Sequence, residues 1–185
     1  MSTSLIKTTV RAIGKPISLV FCGLDFAGKT AMFTRLKTGK FQPDLKPTIS
    51  STIDSIEIKD EDGLLDVNII DLGGQRMLRD QWKTFIENSN SIIFVIDTKD
   101  KDRFAEVKEE FQLRVKPVLK HQPCIVACNK ADLLSKEERL KIETELEKLL
   151  EIENNKQFII VSTSQKTGYG LTKVTKFLRE KLATN

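Results

Sequence analysis

The sequence predicts an α/β fold: a six-stranded, mostly parallel sheet with one antiparallel edge hairpin and helices on both faces. Three observations predict it. Short apolar runs rich in Val, Ile and Phe recur along the 185 residues, at 17–22, 92–97, 124–129 and 158–161, as expected of strands buried on both faces. Amphipathic segments of helical period separate them. Each run ends in a turn rich in Gly, Asp, Asn or Ser, where open parallel sheets collect the residues that bind ligands.

Taken in order, strand Ile17–Cys22 leads into a helix at Lys29–Lys37. Strands Ile53–Ile58 and Asp66–Asp71 flank Lys59-Asp-Glu-Asp-Gly63, a hairpin turn by composition. A helix at Leu78–Ile86 precedes strand Ile92–Asp97. The third helix spans Arg103–Leu119, with Asp100 or Asp102 as its cap and Pro117 ending it early. Strand Cys124–Asn129 is followed by helix Lys136–Leu149, capped by Ser135. Strand Phe158–Val161 and helix Leu171–Leu182 complete the series. No internal repeat or low-complexity tract interrupts it. The expected organisation is one domain over residues 16–185, preceded by an amphipathic helix or tail over residues 1–15.

The loops carry the chemistry. Gly23-Leu-Asp25-Phe26-Ala27-Gly28-Lys29-Thr30 is a complete G-x-x-x-x-G-K-[ST] loop between a strand and a helix, the context in which its backbone N–H groups cradle phosphate. Lys29 reaches the β- and γ-phosphates there, and the Thr30 hydroxyl takes magnesium. Asn129-Lys130-Ala131-Asp132 ends another strand. The Asp132 carboxylate can accept from the ring N–H and exocyclic amine of guanine, a donor pair adenine lacks, and unpaired buried polar groups discriminate strongly. The Lys130 stem can lie along the purine, and Asn129 can tie this loop to the phosphate loop. Asp71-Leu-Gly73-Gly74-Gln75 ends a third strand. Asp71 is placed to hold magnesium through water, Gly74 to offer its N–H to a γ-phosphate, and Gln75 to orient an attacking water. Thr48, after Pro47, is a candidate to complete the magnesium shell, with Thr52 in competition. In Thr163-Ser164-Gln165-Lys166 a backbone N–H near Gln165 could read the guanine oxygen. Taken singly, these stretches also read as a glycine turn, a polar helix cap or an ordinary loop; their occurrence together in one chain is what favours nucleotide chemistry.

Together these residues resemble the small GTPases, and among them the Arf/Sar family. Asp25 stands where Ras-like and Rab-like loops usually carry a small residue, and D-L-G-G-Q is similar to Arf and Sar. The resemblance runs from about Lys15 to the C-terminus. It implies a P-loop GTPase domain that binds GTP or GDP with Mg2+ and hydrolyses GTP slowly, with Gln75 and Lys29 catalytic. It implies Thr48 in a first switch and Asp71, Gly74 and Gln75 in a second. Asn129, Lys130, Asp132 and Gln165 then lie at guanine. It further implies an exchange factor, an activating protein and effectors meeting the switches, and a role at membrane surfaces in trafficking or remodelling. Four departures stand out. Gln165 replaces the usual Ala or Thr, Ser50-Ser51-Thr52 replaces the Gly-Phe-Asn typical of Arf, Gln75 leans away from Sar, and Met1-Ser2 lacks the Met-Gly myristoylation signal. Other readings are a GTP-bound scaffold with little hydrolysis, a soluble GTPase without a membrane role, an ATPase, and a membrane module indifferent to nucleotide.

Composition narrows the classes. The 39% apolar content is that of an ordinary globular chain, and no run approaches the ~20 residues of a membrane span. Cys22, Cys124 and Cys128 fall in predicted strands, which fits packing in a reducing cytoplasm rather than a disulfide framework. His121 falls in a polar turn and suggests no metal site. Thirty basic against 26 acidic residues give a net charge of +4 on a mixed surface, which does not point to nucleic acid. Residues 1–15 hold Lys7, Arg11 and Lys15 and no acid. On a helix at ~100° per residue, Leu5, Ile6, Thr9, Val10 and Ile13 share one arc, the pattern of a weak anchor for an anionic membrane surface; packing or a tail is the alternative. The expected location is cytoplasmic, with peripheral attachment in the GTP state under the membrane reading. Trp82 is expected in the core, Phe26 against a neighbouring helix or switch, and Arg76 and Arg79 on the second switch.

Overall fold

A computed structural model describes residues 17–60 and 63–182; the helix or tail expected at 1–15 lies outside the described residues. Six strands form one sheet in the order β2-β3-β1-β4-β5-β6. They are β1 (Ile17–Cys22), β2 (Thr52–Asp60), β3 (Gly63–Asp71), β4 (Ser91–Asp97), β5 (Cys124–Asn129) and β6 (Phe158–Ser162). The β2–β3 pair is antiparallel, with Ile56 opposite Val67 and Asp60 opposite Gly63. β1 is parallel to β3 and β4, and β4, β5 and β6 follow in parallel. The loops after β1, β3, β4, β5 and β6 therefore emerge at the same edge of the sheet. The chain reverses its direction of travel across the sheet on either side of β1, and a crevice opens there.

The helices are α1 (Lys29–Thr38), α2 (Trp82–Glu87), α3 (Phe104–Glu110), α4 (Lys136–Leu150) and α5 (Leu171–Leu182). Period-two alternation sends each central strand into two cores at once. Leu19, Phe21, Ile93, Val95, Ile125 and Ala127 pack with Met32 and Phe33 of α1 and with Val174, Phe177 and Leu178 of α5. Val20, Cys22, Phe94, Ile96, Val126 and Cys128 pack on the opposite face with Trp82, Phe104, Val107, Ile142 and Leu146. Phe94 is gripped edge-on by Trp82 at 6.4 Å and Phe111 at 5.1 Å between ring centroids. Each such fully buried ring contributes about 1.5–3 kcal/mol of transfer free energy. Together the two cores hold the sheet edge that carries the loops.

Local chemistry refines four expectations. The hairpin strands run on to Asp60 and from Gly63, because backbone pairing continues the ladder through residues whose composition reads as turn. The second helix opens as a 3₁₀ stretch, Arg76–Gln81, with the Leu78 N–H bonded to the Gln75 carbonyl at 2.9 Å. The third begins with a 3₁₀ turn at Lys101–Arg103, widens to a π-turn at Phe111–Val115 and closes with 3₁₀ at Lys116–Val118. Pro117 lacks the N–H for a further α-turn and its ring crowds the carbonyl four residues back. Neither acid caps that helix: Asp100 makes no side-chain cap bond, and Asp102 lies inside the first turn.

Ser135 does cap α4. Its hydroxyl accepts from the Glu138 N–H at 3.2 Å, and the Glu138 carboxylate accepts from the Ser135 N–H at 2.7 Å, a reciprocal capping box. Trp82, Cys22, Cys124 and Cys128 are buried in the core, and His121 is exposed. No helix among the described residues is long and apolar enough to cross a membrane.

Candidate nucleotide site

The phosphate loop joins β1 to α1 and is shaped by two glycines. Gly28 has φ 94°, and a Cβ on it would stand 2.2 Å from Asn129 Nδ2, so the turn tolerates no side chain. Lys29 folds back over the loop, its Nζ donating to the Gly23 carbonyl at 2.9 Å and the Leu24 carbonyl at 2.8 Å. Burial pulls its ammonium down to about 8, against the opposing attraction of Asp71. Gly74 approaches from the loop after β3. A Cβ there would lie 2.4 Å from the Asp25 nitrogen and from Lys29 Nζ, and 2.5 Å from the Leu24 carbonyl carbon. Its carbonyl accepts from the Asp25 N–H at 3.2 Å and from Arg79 Nε at 2.8 Å. Two backbones and an ammonium thus converge where only glycine fits.

Beside Lys29 stands a cluster of oxygens. Asp71 Oδ2 accepts from the Thr30 hydroxyl at 2.7 Å and the Thr48 hydroxyl at 3.2 Å, and the two hydroxyl oxygens are 2.7 Å apart. Burial raises the Asp71 carboxyl, partly offset by the Thr30 bond, Lys29 and the Thr48 bond. Asp71 Oδ1 is buried with no protein partner. An oxygen-only set with one unused carboxylate oxygen fits a hard divalent cation such as Mg2+, which keeps several waters and few protein ligands. Of the two competing threonines, Thr48 joins this cluster, whereas Thr52 is exposed at the start of β2. Among the described residues no group of three or more His, Cys, Asp or Glu is gathered as a metal site.

The loops after β5 and β6 close the other end. Asn129 Nδ2 donates to the Ala27 carbonyl at 2.7 Å, tying the base-side loop to the phosphate loop across 102 residues of sequence. Lys130 adopts φ 65° and bonds Asp97 at the end of β4. Asp132 Oδ1 accepts from the Ser164 hydroxyl at 2.6 Å. Gln165 is buried and its Nε2 donates to Asn129 Oδ1 at 3.0 Å.

A cavity of about 490 Å³ runs between the two ends. Asp25, Phe26, Gly28, Lys29, Thr30, Thr48, Gly74, Gln75, Asn129, Lys130, Asp132, Gln165 and Lys166 all line it. Gly23, Ala27, Asp71 and Ser164 are buried and support that wall through the bonds just described. Arrayed in this way, the groups can hold a polyphosphate at one end and a planar base with two adjacent donors at the other.

Two features were not visible in the sequence motifs. The first is Arg79, 1% exposed and held from four directions. Nε bonds the Gly74 carbonyl, Nη1 bonds Glu106 at 2.8 Å and Glu110 at 2.9 Å, and Nη2 lies 3.5 Å from Asp25. Arg103 reaches the same Asp25 carboxylate at 2.7 Å. The acid in the phosphate loop is therefore compensated by two guanidiniums, and Arg79 is not an exposed contact residue of the loop. Its sequence trace is faint: two acids at i, i+4 spacing on α3, far along the chain. The second feature is the stretch 41–47, which contributes Phe41 and Pro43 to the cavity wall. Phe26, at φ 61°, lines the cavity beside the 41–48 stretch and is 71% exposed.

A sequence profile of the ADP-ribosylation factor family matches residues 3–182. ADP-ribosylation factor J of Dictyostelium discoideum is 37% identical over 120 residues, 64% of this chain and 61% of that protein. The small COPII coat GTPase SAR1 of Encephalitozoon cuniculi is 37% identical over 123 residues, covering 65% of this chain. The match spans only 52% of that SAR1's own length. ADP-ribosylation factor-like protein 1 of Saccharomyces cerevisiae is 31% identical over 159 residues, 85% of this chain and 83% of that protein. In fold, the chain is similar to the Arl6 BBS3 small GTPase of Trypanosoma brucei with bound nucleotide analogue GppNp. The TM-score is 0.71 at 23% identity, over 92% of this chain and 99% of that one.

Proposed function

The chain belongs to the ADP-ribosylation factor family, and from that membership and its cavity we propose a guanine-nucleotide switch that binds GTP and GDP with Mg2+ and slowly hydrolyses GTP. The observation that carries this reading is that one cavity unites Lys29, Thr30, Thr48, Gly74 and Gln75 with Asn129 and Asp132. In the proposed complex the phosphate-loop N–H groups and Lys29 bind the β- and γ-phosphates, and Asp132 accepts from the guanine N–H groups. Thr30, Thr48 and, through water, Asp71 are the residues that would hold Mg2+, which when bound neutralises charge developing on the transferring phosphoryl group. Gln75 orients a water for in-line attack at the γ-phosphorus, and Lys29 stabilises the charge spread over the phosphoryl oxygens. The bond between γ-phosphorus and the bridging oxygen breaks, leaving GDP and inorganic phosphate.

The switch follows from the two residues that would answer to the γ-phosphate, Thr48 through Mg2+ and Gly74 through its backbone N–H. Thr48 and Gly74 sit on separate loops, so losing that phosphate releases both. Exchange factors, activating proteins and effectors of the switch loops are the proposed partners, and residues 1–15 the proposed contact with an anionic membrane in the GTP state. The relatives named as ADP-ribosylation factors and as a COPII coat GTPase support a trafficking role. The intact Gln75 favours hydrolysis over a permanently loaded scaffold. Fluorescent-nucleotide binding and phosphate release test the proposal together. The wild-type chain is expected to bind GDP and GTP with Mg2+ and turn over slowly. Gln75→Leu should keep GTP affinity and lose hydrolysis; an unchanged rate in that variant removes the role given to Gln75.

A further inference from the structure

The base-side loops contain a buried amide that the nucleotide motifs do not require. Gln165 is 3% exposed, and its orientation is dictated by its neighbours. The Ala27 carbonyl can only accept, so Asn129 must turn its Nδ2 toward it and leave Oδ1 facing the other way. Gln165 must then present Nε2 to that oxygen, at 3.0 Å, with a second, longer contact of 3.4 Å to the Thr163 hydroxyl. This assignment leaves Gln165 Oε1 buried and without a protein partner. A buried, unsatisfied acceptor is costly. The amide is held there because its other end satisfies Asn129.

We propose that Gln165 is a positioning residue: its side chain locks Asn129 onto the phosphate loop and thereby slows nucleotide release. The proposal rests on the nucleotide-switch reading above. Three loops are then joined in series, from Thr163 and Gln165 through Asn129 to the Ala27 carbonyl. A parallel strut, Ser164 to Asp132 at 2.6 Å, fixes the carboxylate that reads the base. The two struts do different work. Ser164 orients base reading, whereas Gln165 orients the residue that ties the base end to the phosphate end. Weakening the second should therefore speed release of any purine nucleotide without changing which base is preferred.

The test measures release of methylanthraniloyl-GDP and of the inosine analogue, with excess Mg2+ and again with chelator. The proteins are wild type, Gln165→Ala, Gln165→Met, Asn129→Ala and the Gln165/Asn129 double variant. Loss of one buried hydrogen bond predicts release about 5–10-fold faster in Gln165→Ala and in Gln165→Met, by the same factor for both bases. The double variant should be no faster than Asn129→Ala alone, because Gln165 acts through Asn129. Gln165→Glu adds a pH signature. Its ionised carboxylate has no proton to give Asn129 Oδ1, so release should be fast at neutral pH and slow again as the acid protonates. A melting-temperature check separates these effects from misfolding. If wild type binds no guanine nucleotide, the switch reading itself fails. If it binds, and release from Gln165→Met equals wild type or the two substitutions multiply, the positioning role is overturned.

Discussion

Replacing Arg79 by Ala should destabilise the protein more than any surface substitution, and the size of the effect can be worked from its surroundings. The guanidinium is 1% exposed and serves the Gly74 carbonyl, Glu106, Glu110 and Asp25. Breaking a buried ion pair by removing one partner costs about 3–5 kcal/mol. The remaining charges here are not wholly abandoned. Glu110 keeps Arg114, Glu106 and Asp25 keep Arg103, and the Gly74 carbonyl keeps the Asp25 N–H. The expectation is therefore near the lower limit, about 3 kcal/mol. For a domain of this size that is a fall in melting temperature of about 6–12 °C. The assay is thermal unfolding at fixed, saturating GDP and Mg2+, so that mass action is the same for both proteins. Arg79→Met, which restores bulk without charge, should recover part of the loss, and the exposed Arg76→Ala should lie within about 0.5 kcal/mol of wild type. A melting point for Arg79→Ala within 2 °C of wild type, which corresponds to about 1 kcal/mol or less, would refute the idea that this network holds the Gly74 loop against the phosphate loop.

Other outcomes follow from the same geometry. In the ligand-free protein Lys29 titrates near 8 because burial disfavours its charge. Phosphate binding restores that charge and takes up a proton, so nucleotide affinity should fall as pH rises above about 8, measured by titration calorimetry in buffers of different ionisation enthalpy. Asp132→Asn exchanges an acceptor for a donor at the base end and should move preference from guanine toward xanthine nucleotides in competition binding; unchanged preference would remove Asp132 from base reading. Deleting residues 1–15 should abolish flotation on anionic vesicles in the presence of a non-hydrolysable GTP analogue while leaving nucleotide binding intact. Equal flotation of the truncated protein would place the lipid contact elsewhere.

What the sequence discloses and what it hides divide along physical lines. The fold is legible because each buried strand is a local apolar run: Ile17–Cys22, Cys124–Asn129 and the helix Leu171–Leu182 have the expected limits. The phosphate loop is legible for the same reason, being contiguous and dictated by glycine. Thr48 was ambiguous against Thr52, because nothing local distinguishes two threonines in a loop; the choice depends on where Asp71 lies. The Arg79 network was invisible because its partners Glu106 and Glu110 lie 27 and 31 residues away, and side-chain reach across elements leaves no periodic trace. The uneven third helix has a legible cause in Pro117 but an illegible remedy, since the chain could as well have kinked or stopped. Phe26 is bulky yet 71% exposed, on a left-handed backbone in the phosphate loop.

The three cysteines give the molecule a built-in reporter. Cys22, Cys124 and Cys128 are the chain's full complement of thiols, and all are fully buried in β1 and β5. Burial holds the Cys22 thiol up at about 12 and raises the other two as well, so almost no thiolate forms in the folded state. Alkylating reagents should therefore react only when the central strands come apart, and the rate of labelling would count excursions to the open chain rather than movements of the surface loops. A single cysteine introduced at exposed Ile49 or Met77 would then be the sole fast-reacting position. Loop motion and global opening could be timed separately in one sample, without first removing any native cysteine.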